Sequence, residues 1–153
     1  MIIRITPAEK DDISQIAALE QACFSFPHTQ EQLLSELEDE VYDLLVAKDG
    51  ETLLGYGALS HVLDEGYISN VAVAEHARRK GVADALLEAL DALSEKYMLE
   101  FISLEVRESN EPAIRLYEKN GYRKTGQIPN YYSLPKESAL IMTKTYHRER
   151  NLF

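Results

Sequence analysis

Three short segments of the chain carry residue types and spacings that could perform chemistry. The first is a basic stretch, Arg78-Arg79-Lys80-Gly81-Val82-Ala83, which follows the apolar run Val71-Ala72-Val73. A strand that leads through such a loop into a helix presents free backbone N–H groups and the positive end of the helix dipole to an anion. Gly81 and Ala83 are small enough to let phosphate oxygens approach the backbone. The alternative is a solvated basic run beside an ordinary helix cap.

The second segment contains a carboxylate, Glu105, near the end of the predicted strand Phe101–Arg107. Because side chains alternate along a strand, Ser103, Glu105 and Arg107 share one face. A carboxylate in that place could lie in a cleft and act as a base toward an amine. The alternative is a surface carboxylate that pairs with Arg107 or with a cation on a neighbouring strand.

The third segment places three side chains on one face of a predicted helix. Asn110, Ala113 and Tyr117 are spaced by three and four residues. Asparagine and a small alanine suit a narrow polar ligand, and the phenol of Tyr117 can donate a proton. The alternative is an asparagine that caps the helix, an alanine in the core and a tyrosine packed with its hydroxyl outward.

The histidines and the cysteine indicate no further site. The histidines stand at positions 28, 61, 76 and 147, without metal-ligand spacing to Cys23 or to one another. Cys23 lies near His28 and could be a thiol nucleophile, but such a cysteine is more commonly buried on an apolar helix face. We therefore predict no metal and no covalent intermediate.

Hydrophobic periodicity predicts the elements that position these residues. Strands are expected at 1–5, 42–48, 52–63, 67–74, 101–107, 122–128 and 139–146, and helices after Thr6, after Thr29, at 81–97 and at 110–120. The order β-α-α-β-β-β-α-β-α-β-β predicts an α+β fold with a mixed sheet. We expect one domain over residues 1–146 and a C-terminal tail at 147–153.

Local signals predict where some of these elements begin. Thr6-Pro7-Ala8-Glu9 has the pattern of a capping box with proline at the first helical position. Thr29 and Gln32 can cap the second helix in the same way. Asp49-Gly50 predicts a hairpin turn. A loop that contains proline and tyrosines is expected between the last two strands.

Length and composition limit the classes of protein to consider. At 153 residues, with 45% hydrophobic and 27% charged residues, the chain has the size and composition of one globular domain. Its apolar runs are too short to predict a transmembrane helix. One cysteine rules out an intramolecular disulfide and favours a cytoplasmic location.

The chain is strongly acidic. Its 16 basic and 26 acidic residues give a net charge of −10. Such a surface repels nucleic acid and anionic membrane, so we expect neither as a partner and favour small or cationic ones. We expect the protein to be a monomer or a weak dimer.

The motif Arg78-x-x-Gly81-x-Ala83 resembles the Gln/Arg-x-x-Gly-x-Gly/Ala motif of the GNAT N-acetyltransferases. The predicted element order is similar to the fold of that superfamily, a mixed and mostly antiparallel central sheet flanked by helices, over nearly the whole chain. Several further segments resemble its branch of ribosomal-protein alanine N-acetyltransferases (RimI). They are residues 103–110, residues 113–117, Gly121-Tyr122 and Asn130-Tyr131-Tyr132.

The resemblance implies acetyl-CoA as the cosubstrate. It implies that Val71, Ala72 and Val73 bind the acetyl-pantetheine arm and that Asn110 also binds the coenzyme. The residues implied for the pyrophosphate are Arg79, Lys80, Gly81, Val82, Ala83 and Asp84. Alanine at position 83, where many members have glycine, keeps its N–H donor, so we expect binding to survive.

The resemblance also implies roles at the acceptor end. It implies Glu105 as general base and Tyr117 as general acid, and it suggests that Tyr131 and Tyr132 help to hold the acceptor. These roles suit acyl transfer from a thioester to an amine, in which an ammonium must lose a proton and a leaving thiolate must gain one.

We therefore expect an acetyl-CoA-dependent N-terminal acetyltransferase. By resemblance its acceptor is the N-terminal alanine of ribosomal protein eighteen of the small subunit, a basic protein suited to an acidic enzyme. The alternatives are the same fold acting on other protein N-termini, a lysine or a polyamine, or a non-catalytic acyl-CoA-binding regulatory module. A pure binding module would not need the pair Glu105 and Tyr117.

Overall fold

Seven strands form a single sheet in this computed structural model, which describes residues 1–147. The strands are β1 (Arg4–Pro7), β2 (Tyr42–Asp49), β3 (Thr52–Val62), β4 (Glu65–Val73), β5 (Phe101–Arg107), β6 (Arg123–Tyr132) and β7 (Glu137–Thr145). Their order in the sheet is β1-β2-β3-β4-β5-β7-β6, and only β4 and β5 are parallel neighbours. The mixed, mostly antiparallel sheet is therefore confirmed. Of the predicted tail at 147–153, all but His147 lies outside the described residues.

Helices cover both faces of the sheet. They are α1 (Ile13–Cys23), α2 (Gln30–Glu38), α3 (Val82–Lys96) and α4 (Glu111–Lys119). Apolar residues of α1 and α2 pack with one face, whereas those of α3 and α4 pack with the other. The element order agrees with the predicted one, and the α+β class is confirmed. Within residues 1–147, no helix is long and apolar enough to cross a membrane.

The first helix begins later than predicted. Thr6 and Pro7 belong to the edge strand β1, where they pair with Val46 and Leu45. An edge strand tolerates proline, because the missing N–H leaves no ladder bond unmade inside the sheet. A 3₁₀ turn at Lys10–Asp12 then leads into α1. The predicted cap at Thr6 is therefore wrong.

The cap at the start of α2 is confirmed. The hydroxyl of Thr29 accepts a hydrogen bond from the backbone N–H of Gln32 at 3.1 Å. The side-chain oxygen of Gln32 accepts one from the N–H of Thr29 at 2.9 Å. Two donors that the helix itself cannot satisfy are paired reciprocally, which defines where α2 begins.

Strand β6 continues further than predicted, through Tyr131 and Tyr132 to the turn before β7. Its register with β7 is irregular between Ile128 and Tyr132, and Asn130 has a φ of +55°. Because β6 lies at the edge of the sheet, its outer side has no neighbour that such an irregularity would disrupt. Both tyrosines therefore lie at the end of an irregular edge strand, and the predicted loop is confined to the turn that follows.

The parallel strands β4 and β5 separate within the sheet. They pair only at Glu65–Phe101, Gly66–Ile102 and Tyr67–Ser103, although both strands continue beyond these positions. Opposite β3, Ser69 is an extra residue in β4, because Asn70 pairs with Ala58 and Ile68 with Leu59. Such a bulge bends a strand and increases its twist. A cleft opens between the two strands as a result.

Candidate functional site

The cleft between β4 and β5 is a cavity of about 520 Å³. It is also bordered by α4, by the hairpin of β6 and β7 and by the end of α1. Its lining includes eight of the predicted site residues, namely Val71, Val73, Ala83, Glu105, Asn110, Tyr117, Tyr131 and Tyr132. Segments that are far apart in the sequence therefore contribute to one site.

The remaining predicted residues lie beside the cavity. The side chains of Ala72 and Val82 are buried in the two apolar cores, so only their backbone could contact a ligand. Arg79, Lys80 and Gly81 are exposed at the start of α3.

The start of α3 offers backbone donors to an anion. Gly81 is the N-cap residue with a φ of +83°, and no side chain among residues 1–147 caps the helix. A Cβ atom built on Gly81 would have no atom within 4 Å, so the backbone here faces open space. The first N–H groups of a helix carry a partial positive charge. This geometry fits a pyrophosphate group.

The carboxylate of Asp84 is bound by residues of the neighbouring helix end. Lys119 Nζ and Asn120 Nδ2 each donate to it at 3.1 Å. Partial desolvation of this carboxylate works toward a higher pKa, but the two hydrogen bonds outweigh it and the pKa of Asp84 is lowered. Lys119 therefore offsets a negative charge in the first turn of α3, where an anionic ligand would bind.

Glu105 projects into the cavity and accepts a hydrogen bond from the hydroxyl of Tyr67. Burial, followed by this bond to a carboxylate, raises the pKa of Tyr67, so its proton stays on the phenol. Arg107 does not pair with Glu105. It lies 3.4 Å from Glu137 instead, and the surface ion pair between Glu105 and Arg107 is excluded.

Tyr117, on α4, also lines the cavity. Its ring packs edge-on against Tyr122, with 6.0 Å between the ring centroids. Burial raises the pKa of Tyr117 to about 12, so the phenol is protonated at physiological pH. A neutral phenol that lines the cavity is a proton donor available to a ligand there.

Asn110 has a structural role in addition to its place in the cavity lining. Its Oδ1 accepts a hydrogen bond from the N–H of Ala113 at 3.3 Å and caps α4. The reading of Asn110 as a helix cap is thus confirmed. A direct contact between Asn110 and the coenzyme stays a prediction.

The sequence model of the acetyltransferase (GNAT) family matches residues 13–122. The chain belongs to this family. Its activity is therefore acetyl transfer by an N-acetyltransferase, and the resemblance noted from the sequence is confirmed. GNAT acetyltransferases use acetyl-CoA as the acetyl donor.

Named relatives extend over most of this acetyltransferase. It is 31% identical over 140 residues to the ribosomal protein bS18-alanine N-acetyltransferase of Escherichia coli strain K12, covering 90% of this chain and 94% of that protein. It is 31% identical over 150 residues to an N-alpha-acetyltransferase of Saccharolobus solfataricus, covering 90% and 89%. The crystal structure of the ribosomal-protein-S18-alanine N-acetyltransferase from Escherichia coli matches it with a TM-score of 0.90, at 30% identity and over 99% of both chains.

Arg107 fixes the hairpin that closes one side of the acetyltransferase cavity. Its guanidinium donates to the carbonyl oxygens of Pro135 at 2.9 Å and Ser133 at 3.2 Å. It also lies 4.4 Å from the ring centroid of Tyr132, whose ring meets that of Tyr131 edge-on. Arg107, on the same strand as Glu105, therefore positions both tyrosines.

Sequence reasoning did not identify three polar residues of β4 that line the cavity, Tyr67, Ser69 and Asn70. Alternation from Val71 back along the strand would have suggested Ser69 and Tyr67. It would have turned Asn70 to the other face. The bulge at Ser69 changes this alternation, and a bulge has no clear signature in a single sequence.

Proposed function

We propose that this acetyltransferase transfers the acetyl group of acetyl-CoA to the N-terminal α-amino group of a protein, with the N-terminal alanine of ribosomal protein bS18 as its acceptor. The observation that carries the proposal is that a carboxylate, Glu105, and a neutral phenol, Tyr117, line one cleft beside the start of α3, which no side chain of residues 1–147 caps. The name of the Escherichia coli relative supports the choice of acceptor.

The described residues fit the coenzyme. Its pyrophosphate would bind the N–H groups at the start of α3, with the exposed cations Arg79 and Lys80 beside them. Its pantetheine arm would lie in the cleft along Val71 and Val73, where β4 no longer pairs with β5. Acetyl-CoA supplies a thioester, whose carbonyl carbon is open to attack by an amine.

Glu105 and Tyr117 each transfer a different proton. Glu105 takes a proton from the acceptor ammonium, directly or through a water molecule, which leaves a neutral amine able to attack. Tyr117 donates its phenolic proton to the departing sulfur, and it regains a proton from the attacking nitrogen, which loses its second N–H proton as the amide forms. Backbone N–H groups on the unpaired edge of β4 stabilise the negative charge that develops on the carbonyl oxygen.

An α-amino group suits a single carboxylate base better than a lysine does. Its unperturbed pKa is about 8, against about 10.4 for the lysine side chain. At neutral pH the α-amine is therefore much easier to deprotonate. The net charge of −10 attracts basic protein acceptors in addition.

The test is mass spectrometry of peptides incubated with acetyl-CoA. The panel holds a peptide that begins with alanine and continues with arginines, the same peptide with a blocked N-terminus, peptides with other first residues, and small polyamines. We expect acetylation of the free N-terminal alanine, with an apparent affinity that falls as salt rises. Modification that persists on lysine after blocking, or a preference for polyamines, would refute the assignment. Coenzyme binding without turnover of any peptide in the panel would refute the assigned acceptor as well.

A further inference from the structure

A buried carboxylate adjoins the cavity but belongs to none of the steps above. Glu20 lies on α1 and is 1% exposed. Its carboxylate accepts hydrogen bonds from the backbone N–H of His28 at 2.8 Å, from Asn70 Nδ2 at 3.1 Å and from the hydroxyl of Tyr56. Burying a carboxylate is costly unless donors compensate it, and here three donors converge on it.

Only one member of this cluster, Asn70, reaches the cavity. Glu20, Tyr56 and the backbone N–H of His28 do not line the cavity. Tyr56 is fully buried, and burial followed by the nearby charge of Glu20 raises the pKa of its phenol. Tyr56 therefore keeps its proton and donates it to Glu20, while its oxygen accepts a second hydrogen bond from Asn70 Nδ2 at 3.1 Å.

The cluster determines which end of the Asn70 amide faces the cavity. Asn70 Nδ2 donates to both Glu20 and the Tyr56 hydroxyl, so the amide nitrogen of Asn70 points toward this cluster. The carbonyl oxygen, Oδ1, is then turned away from Glu20 and Tyr56. Among residues 1–147, none donates a hydrogen bond to Oδ1, so it can accept one from a ligand.

We propose that Asn70 Oδ1 accepts a hydrogen bond from the acceptor amine, and that Glu20 is the positioning residue that holds the amide in this orientation. Asn70 directly precedes Val71, the first residue of the proposed acetyl-pantetheine path, and it shares the cavity with Glu105. An amine that gives one proton to Glu105 keeps other N–H groups, and a fixed carbonyl oxygen would orient them. The proposal rests on the proposed function only in that the acceptor is an amine.

The first test measures steady-state kinetics of Asn70→Ala against wild type, with the best amine from the acceptor panel. A hydrogen bond to a charged group predicts a rise of about 10- to 100-fold in the KM for the acceptor. We expect kcat within about 5-fold and the KM for acetyl-CoA within about 2-fold of wild type. Asn70→Ser, which leaves less empty space, gives the same comparison if Asn70→Ala does not fold.

The second test separates positioning from packing. In Glu20→Gln the new amide can donate to Asn70 Oδ1, so the Asn70 amide is free to turn its nitrogen toward the cavity. We expect the acceptor KM to rise although Asn70 is intact. Glu88→Gln, which makes the same charge change on the exposed side of α3, is the matched control and should leave the acceptor KM unchanged.

The double variant Glu20→Gln/Asn70→Ala gives a further comparison. Its acceptor KM should be no higher than that of Asn70→Ala, because Glu20 acts through Asn70. An acceptor KM within 2-fold of wild type in a folded Asn70 variant would overturn the proposal and leave Asn70 a structural role. Because any accepted amine serves, failure of the alanine assignment would appear in the acceptor panel and not in this comparison.

Discussion

The substitution Gly81→Asp tests the proposed pyrophosphate site most directly. Gly81 has a φ of +83° and open space where a Cβ atom would stand. An aspartate there would be strained but would not clash. Its carboxylate would also accept hydrogen bonds from the same N–H groups that the pyrophosphate needs, as N-cap aspartates commonly do. The ligand would lose donors and gain a neighbouring negative charge.

The expected size of the charge effect follows from Coulomb's law. At a separation of ~5 Å, two unit charges repel by about 0.8 kcal/mol in bulk water and by about 3 kcal/mol at an effective dielectric constant of about 20. Since every 1.4 kcal/mol is tenfold in affinity, the dissociation constant of acetyl-CoA should rise by about 4- to about 200-fold. The effect should shrink at high salt, because salt screens exposed charges.

The matched control is Gly81→Ala, which brings the same unfavourable φ without a charge. A left-handed conformation costs a residue with a Cβ atom about 1–2 kcal/mol, so both variants should lose thermal stability. Calorimetric titration with acetyl-CoA should show a large loss of affinity for Gly81→Asp and a small one for Gly81→Ala. Equal affinities in the two variants would mean that the loop is only a helix start and that the coenzyme binds elsewhere.

Three further predictions concern proton transfer and stability. Glu105→Gln should keep coenzyme affinity but lower kcat at pH 7 by a factor of about 10²–10⁴. The difference in kcat from wild type should become smaller at high pH, where the amine is already neutral. Wild-type turnover at pH 7 would remove Glu105 from the mechanism. Tyr117→Phe should lower kcat with little change in melting temperature. Because the pKa of Tyr117 is raised to about 12, its phenol keeps its proton up to that pH. A pH–rate profile that falls near pH 10 in wild type but not in Tyr117→Phe would contradict the raised pKa. Thr29→Ala removes the cap of α2 and should cost about 1 kcal/mol in chemical denaturation.

The predictable parts of the fold were those with strong local signals. The long helix α3 begins and ends within one residue of its predicted bounds, because an apolar stripe and Gly81 define it. The strand Phe101–Arg107 was predicted with its exact ends and faces, since strict alternation leaves one side for Glu105. The failed cap at Thr6 shows the opposite case. Pairing of β1 with β2 outweighed a local pattern that was typical of a helix start.

The unpredictable parts of the site depend on long-range register. Tyr67 and Glu105 lie 38 positions apart and meet because β4 and β5 pair at Tyr67 and then separate. The extra residue Ser69 brings Asn70 to the cavity, although simple alternation from Val71 would exclude it. No local pattern specifies where two strands stop pairing or where one carries a bulge. The sequence therefore predicted two residues that line the cavity, Glu105 and Tyr117, but not Tyr67 and Asn70, which strand register brings there.

The topology explains why the proposed pyrophosphate site and Glu105 lie at the same end of strands β4 and β5. Parallel neighbours cannot be joined by a tight hairpin, so β4 and β5 require a crossover, and α3 provides it. The crossover leads from the carboxyl end of β4 through a 3₁₀ turn at Glu75–Ala77 to the start of α3. Because the two strands are parallel, the carboxyl end of β5, which contains Glu105, lies at the same end of the sheet as the carboxyl end of β4. The proposed pyrophosphate site and the proposed base, Glu105, are thus brought close by a single connection, and separation of the strands provides the space between them.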